Sequence, residues 1–302
     1  MQVSNEDLKP FRQIDDPNRM IRGSVDFVPD VLDRFLNGTH MSGIKLPFTQ
    51  FDQLFRLRQQ EVTVLAGING AGKSMIGGQI MLGAIEQGYK CLSVSMEMSP
   101  QSQIARMIRQ CSLNKYPGQE EVLSWTRWQA EKLFFYDQRG TVTGDTLIAL
   151  IKFAKENHDV DFVLVDSLMT LSYASDDYNG QKQILCGLAN IAKELDIHIM
   201  LVAHARKGQS IKDRLDKWSV AGSADITNRA DNVIILGRLY EMDGADAYMS
   251  LAKARHFDGA EMDIDMKFDM TSLNYHTSND KPQQLGMTQM NEGILREAGL
   301  QK

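Results

Sequence analysis

Apolar positions along the chain change their rhythm near Leu46. Before that point residues 1–45 are polar, with one patch where Val28, Val31, Leu32, Phe35 and Leu36 recur at i, i+3, i+4, i+7 and i+8. This spacing predicts a short amphipathic helix over 28–36, with Pro29 in its first turn and Asn37-Gly38 ending it. Its apolar stripe has two equally good destinations, its own domain or a neighbouring subunit. From Leu46 onward, β-branched apolar runs alternate with helical spacing, the signature of βαβ units and a mostly parallel sheet. Strands are predicted near 61–66, 90–96, 133–136, 161–166, 197–203, 232–237, 247–253 and 262–268. Helices fall near 73–87, 99–112, 119–131, 144–156 and 181–195. In the last of these, Ile184, Leu185, Leu188, Ile191, Ala192 and Leu195 form a core-facing stripe. The final strands have no full helix between them, which predicts an antiparallel hairpin closing one edge. After His276 the chain turns polar and is expected to be a tail with one short helix near 287–298.

Composition adds bounds. With 302 residues, 43% hydrophobic and 24% charged, the chain can bury one large α/β core with extensions. No apolar run approaches the roughly 18 residues a membrane span needs. The start Met1-Gln2-Val3-Ser4-Asn5-Glu6-Asp7 lacks a secretion or transit pattern, so a cytoplasmic location is expected. Cys91, Cys111 and Cys186 make no C-x-x-C pair, so no zinc ribbon is expected and reduced thiols are the default. A net charge of −6 argues against a chain coated all round with nucleic acid but permits a local basic groove.

The strongest chemical signal is Gly67-Ile68-Asn69-Gly70-Ala71-Gly72-Lys73-Ser74, which follows an apolar run and opens a helical segment. A triphosphate needs several backbone N–H groups aimed at one point, so side chains must be absent where the chain wraps it. The three glycines meet that need, Lys73 reaches the β- and γ-phosphates, and the Ser74 hydroxyl joins the shell of Mg²⁺.

Other polar groups stand at strand ends, where an open α/β sheet collects function. Phe162-Val163-Leu164-Val165 delivers Asp166 to the metal position, the Walker-B role. Glu97 ends a second run and is either a general base for water attacking the γ-phosphate or a cap for the following helix. His204 ends a third, followed by Arg206, Lys207, Lys212, Arg214 and Lys217. That basic loop suits phosphate-backbone contacts, and His204 is placed to report phosphate state to it. Lys253 and Arg255 lie two apart in a strand-like run, so both point from one face. They are either trans-acting cations for phosphoryl transfer or charges protecting an edge strand.

Together these motifs resemble the RecA-like motor domain of superfamily-4, DnaB-like replicative helicases. They are most similar to the branch of the phage primase-helicases and Twinkle. The carrying residues are Gly67–Ser74, Ser95-Met96-Glu97-Met98, Leu164-Val165-Asp166-Ser167 and Leu201-Val202-Ala203-His204. Two later stretches add Ala221–Ile226 with Ala230–Ile234, and Lys253–Gly259. The resemblance spans roughly 46–276, leaving 1–45 as an arm with a linker helix and 277–302 as a tail.

The resemblance implies a RecA-like P-loop NTPase fold using ATP or dTTP with Mg²⁺. It implies Glu97 as catalytic base, His204 as the switch linking γ-phosphate to DNA, and Arg238 at the nucleotide. Arg255 becomes an arginine finger with Lys253 its companion, both acting on the adjacent subunit's nucleotide. Arg206, Lys207, Lys212 and Arg214 become contacts to single-stranded DNA, and helix 28–36 docks on a neighbour in a homo-hexamer. A second pore loop near Ser172–Gly180 carries Asp176 and Asp177, which disfavours direct phosphate contact there. Primase, polymerase or loader proteins are the partners such helicases have, and 5′→3′ movement is their polarity. About 45 residues ahead of the motor leave no room for a primase domain, so priming is not expected. Two rivals share the motifs: a RecA- or RadA-like recombination ATPase, and an ATP-gated loader or scaffold that does not unwind.

Overall fold

The computed structural model describes residues 22–36, 42–52, 54–137, 142–167, 178–205, 214–216, 219–220, 224–239, 244–256, 262–277 and 279–286. The chain divides into two units, Met1–Ser42 and Gly43–Lys302. In the first, a 3-10 turn (Ser24–Phe27) leads into α1 (Val28–Leu36), the helix expected from the apolar spacing. Val28, Val31, Leu32, Phe35 and Leu36 are all exposed on it. The expected stop at Asn37-Gly38 lies outside the described residues, as does the predicted helix near 287–298.

The second unit is a nine-stranded sheet between two helical layers. In chain order it contains β1 (Val62–Gly67), α2 (Lys73–Glu86), β2 (Cys91–Ser95), α3 (Pro100–Ser112), α4 (Gln119–Gln129), β3 (Leu133–Phe135), α5 (Gly144–His158) and β4 (Phe162–Asp166). It continues with α6 (Tyr178–Leu195), β5 (His198–His204), α7 (Ala224–Arg229), β6 (Asn232–Arg238), β7 (Ala247–Ala254), β8 (Met262–Asp269) and β9 (Asn274–Thr277). The strand order is β3-β2-β4-β5-β1-β6-β7-β8-β9. The first six in that order run parallel, and β7, β8 and β9 return antiparallel.

Period-2 geometry sends successive side chains of one strand into different layers. In β1, Leu65 joins a core with Ile76 and Ile80 of α2, while Val62, Val64 and Ala66 join the opposite core with Leu147, Ile151, Leu188 and Ile191. Strands buried on both faces therefore read as unbroken apolar runs, which is why their positions are predictable from sequence. The stripe on α6 is buried from Ile184 to Ala192, with Leu195 partly covered.

Two departures matter for function. Lys253 is not on an edge strand: β7 is flanked by β6 and β8, and among the described residues β9 is the outer strand on that side. The protective-edge explanation for the two cations is thereby removed. The closing element is also larger than a hairpin, because β9 adds a strand across the point where the tail is expected to begin. Its four residues, with Asn274, His276 and Thr277 among them, carry no apolar alternation, so the pattern does not reveal it. Burial there comes from neighbouring elements: Gln79 of α2 bonds the Tyr275 backbone, and Asn274 Nδ2 donates to Gln110 O of α3 at 2.8 Å.

Candidate functional site

Parallel pairing brings the carboxyl ends of β1, β2, β4, β5 and β6 to one edge of the sheet. Gly67 is in register with both His204 and Leu236, and Ser95 with Asp166. At Gly67 a Cβ would collide with Leu236 O, so only glycine allows β6 this close. The loop then turns through Gly72 at φ +97°, where α2 begins. Asn69 and Gly70 are exposed at its rim and Ala71 is buried beneath it.

Lys73 is 7% exposed and curls back over the loop, donating to Gly67 O at 2.8 Å and Ile68 O at 3.1 Å. Its Nζ also lies 3.5 Å from His204 Nδ1. Burial lowers its pKa, and the Asp166 and Glu97 charges partly restore it. Asp166 is 4% exposed, and burial raises its pKa against a hydrogen bond from Ser74. A buried carboxylate beside a serine hydroxyl and a lysine is a place where a divalent cation relieves the cost of desolvation. The donor set therefore fits Mg²⁺.

Glu97 projects into water, 43% exposed, yet is aimed. The Ser167 hydroxyl donates to its Oε1 at 2.7 Å, and His204 Nε2 lies 3.6 Å from the same oxygen. The helix that follows is capped instead by Ser99, whose side chain accepts from Ser102 N–H. Glu97 is therefore released from that structural duty. Beside it opens a cleft of about 310 Å³ lined by Ser95, Met96, Met98, Ser99, Pro100 and Asp137. Lys73, Ser74, Asp166, Glu97 and His204 thus gather at one edge of the sheet, with the cleft opening on the Glu97 side of the group.

Arg238 ends β6 on this same edge and is exposed. Lys253 and Arg255 do not share it. Because β7 runs antiparallel, Ala254 is in register with Asn232, and Arg255 N–H donates to Asp231 O at 3.0 Å. Asp231 in turn bonds Val62 at the start of β1. From there to Gly67 is five residue steps along β1, about 17 Å at the usual rise. Arg255 is half-exposed, with Nη1 3.1 Å from Asp231 Oδ1. Lys253 Nζ donates to the carbonyls of Thr227, Asn228 and Ala230 at 2.9, 2.8 and 2.7 Å, fastening β7 to the end of α7.

Of the expected DNA contacts, Arg206, Lys207 and Lys212 lie outside the described residues, as do 172–177 of the second loop. Arg214 is described and is engaged: Nη1 meets Asp263 Oδ2 at 2.5 Å, and the guanidinium stacks 5.0 Å from the Tyr248 ring centroid. Tyr248 Oη accepts from Leu215 N–H at 2.6 Å, so this end of the basic loop is anchored to β7 and β8.

Two participants escape a reading of the sequence. Ser167 carries a signal, as the hydroxyl after the Walker-B acid. Tyr275 carries none: its hydroxyl donates to Ala71 O at 2.9 Å from a strand roughly two hundred residues downstream of the loop.

Residues 43–277 match the family described as DnaB-like helicase C terminal domain. Among solved structures, one described as an "ATPase Domain" is similar with a TM-score of 0.72 and 17% identity, covering 85% of this chain and 99% of that one. A second, "The Structure Of A DnaB-Like Replicative Helicase And Its Interactions With Primase", has a TM-score of 0.68 and 18% identity over 85% of this chain and 67% of that one. At these identities the structural likeness speaks for the RecA-like fold.

Proposed function

This chain belongs to the DnaB-like helicase C-terminal domain family, and from that premise we propose that it is a ring-forming motor on single-stranded DNA. It hydrolyses ATP or dTTP with Mg²⁺, moves 5′→3′ as a homo-hexamer, and separates duplex at a replication fork in the cytoplasm. Residues 46–276 are the motor, 1–45 an arm whose helix α1 docks on a neighbour, and 277–302 a tail. Primase, polymerase or loader proteins are its partners.

One observation carries this: Lys73, Ser74, Asp166, Glu97 and His204 converge at one sheet edge while Lys253 and Arg255 lie at the other. Gly67, Asn69, Gly70, Ala71 and Gly72 present the loop backbone to phosphate, Arg238 lies beside the nucleotide, and Lys73 exchanges its two carbonyl partners for phosphate oxygens. Ser74 and Asp166 would hold Mg²⁺, which when bound offsets phosphate charge. Glu97, oriented by Ser167 and His204, accepts the proton of the attacking water. His204 passes phosphate state into the loop bearing Arg206, Lys207 and Lys212, which contacts DNA phosphates. Arg255 of one copy serves the nucleotide of the next, and Lys253 sets the position of the strand that carries it.

The test is DNA-stimulated ATPase and unwinding of a forked duplex by wild type and Lys73→Ala, with electron microscopy in nucleotide and single-stranded DNA. Hydrolysis and strand separation lost together in Lys73→Ala, from a protein that forms rings, is the expected result. Filaments without rings favour the recombination ATPase, and hydrolysis without strand separation under any loading condition favours the loader.

A further inference from the structure

A phosphate-binding loop functions only while its N–H groups point inward, which turns its carbonyls outward toward the protein. Those carbonyls need donors if the loop is to keep that shape while empty. Ala71 is fully buried, and the group that meets its carbonyl is the hydroxyl of Tyr275, which donates at 2.9 Å. The contact is close on every side. A Cβ on Gly72 would collide with Tyr275 Oη and lie 2.8 Å from the ring, so the phenol fills the space a side chain would take.

Tyr275 is itself fixed from α2. Gln79 Nε2 donates to Tyr275 O at 2.7 Å, and Tyr275 N–H donates to Gln79 Oε1 at 3.0 Å. Gln79 is 1% exposed, and it stands on the helix that the loop itself opens. On the other side the Phe268 ring packs against Tyr275 with centroids 4.8 Å apart. Loop, β9 and α2 therefore form a closed circuit running from Ala71 through Tyr275 to Gln79. Burial raises the phenol's pKa, so the hydroxyl remains a donor through the physiological range.

We infer that Tyr275 is a positioning residue for nucleotide binding: its hydroxyl, held by Gln79, keeps the phosphate loop in its receptive shape before the ligand arrives. This rests on the proposal that the loop binds a nucleoside triphosphate. Without the hydroxyl the loop samples other shapes, and affinity falls by the fraction that is competent.

Tyr275→Phe removes the donor and keeps the ring. The probe is the slowly hydrolysed Mg²⁺–ATPγS, titrated into the full chain by calorimetry, with steady-state ATPase in parallel. Binding should weaken about 5-fold, the equivalent of about 1 kcal/mol, with the loss in Kd and KM rather than in kcat. Amide exchange over residues 69–74 should quicken in the free variant and converge with wild type when saturated. Gln79→Leu, which leaves the hydroxyl but frees its strand, should weaken binding in the same direction, and the double variant should lose less than the sum. A Kd within about 1.5-fold of wild type, even with a lowered Tm, overturns the inference by making the tyrosine merely structural. A folded wild type that does not bind Mg²⁺–ATPγS would instead overturn the nucleotide-binding proposal itself. Binding by wild type, loss in Lys73→Ala and no change in Tyr275→Phe would sink the inference alone.

Discussion

His198 begins the strand that His204 ends, and it makes the fold sensitive to acid. His198 is completely buried, its ring lies parallel to Phe162 at 5.7 Å, and its Nδ1–H donates to Arg58 O at 2.6 Å. Among the described residues its Nε2 has no partner, so a proton added there would meet no acceptor among them. Burial accordingly pulls its pKa from 6.5 to about 4, against smaller opposing effects of the Arg58 carbonyl and Asp231. A depressed histidine stabilises the fold fully above the unfolded pKa, and that stability is lost as pH falls, because the unfolded chain takes the proton first. Between pH ~7.5 and pH ~5 the loss is about 2 kcal/mol, and it levels off below the folded value near 4. Urea unfolding of wild type and His198→Gln at both pH values, followed by the fluorescence of buried Trp125 and Trp128, isolates the effect. Other carboxylates and histidines titrate equally in both proteins and cancel in the difference. The variant should be less stable at the higher pH yet lack about 2 kcal/mol of the acid sensitivity. Equal pH dependence in the two proteins, to within about 0.5 kcal/mol, would mean that His198 accepts its proton in the folded state and that the pocket is not dry.

Ser167→Ala removes the 2.7 Å hydrogen bond to Glu97 and should lower kcat about 10-fold with little change in nucleotide affinity; an unchanged kcat would deny that the bond aims the base. Gly67→Ala forces a Cβ against Leu236 O and should abolish nucleotide binding and cost about 1–3 kcal/mol in urea unfolding; retained binding would show that β6 can move aside. Lys207→Ala should flatten the salt dependence of single-stranded DNA binding by about 0.7 in log–log slope, whereas Arg214→Ala, already engaged by Asp263, should leave the slope unchanged. Mixing Lys73→Ala with Arg255→Ala subunits should restore some ATPase, since some interfaces then have two intact halves; no recovery in rings shown to be mixed would place Arg255 in cis or outside the chemistry.

What the sequence discloses is what is encoded locally. The phosphate loop, the buried strands and Asp166 each depend on residues next to one another, and each stands where the pattern puts it. Glu97 is ambiguous in sequence because its two roles differ only in a partner seventy residues away, Ser167. Arg214 looks like any other member of a basic run, and only the pairing of β7 with β8 brings Asp263 and Tyr248 to it. Tyr275 is invisible for the same reason: nothing near it in the chain says that β9 pairs with β8 and lies over α2. The edge-strand explanation for Lys253 fails through a non-local fact too, namely that β8 and β9 extend the sheet beyond β7.

The trans role proposed for Arg255 can be argued without any relative. The groups proposed to bind and cleave phosphate lie at the carboxyl edge of the parallel strands, and a cation meant for the same phosphate in the same chain would have to stand there. Had β7 run parallel to β6, its carboxyl end would have met that edge and the site could close on itself. It runs antiparallel, so Arg255 lies level with Asp231 and Val62, about 17 Å from the loop along β1, farther than an arginine side chain reaches. Asp231 and the carbonyls around Lys253 hold that edge in place and leave the Arg255 guanidinium half in solvent, where a second copy can reach it. In the proposed shared site, a half-exposed cation at one edge and the phosphate loop at the other would form a heterologous pair that repeats from copy to copy. Such a contact gives a ring if its rotation closes and a filament if it does not. Closure is a property of the assembly and not of one site, so imaging with nucleotide and single-stranded DNA separates helicase from recombinase more directly than any point mutation in the site.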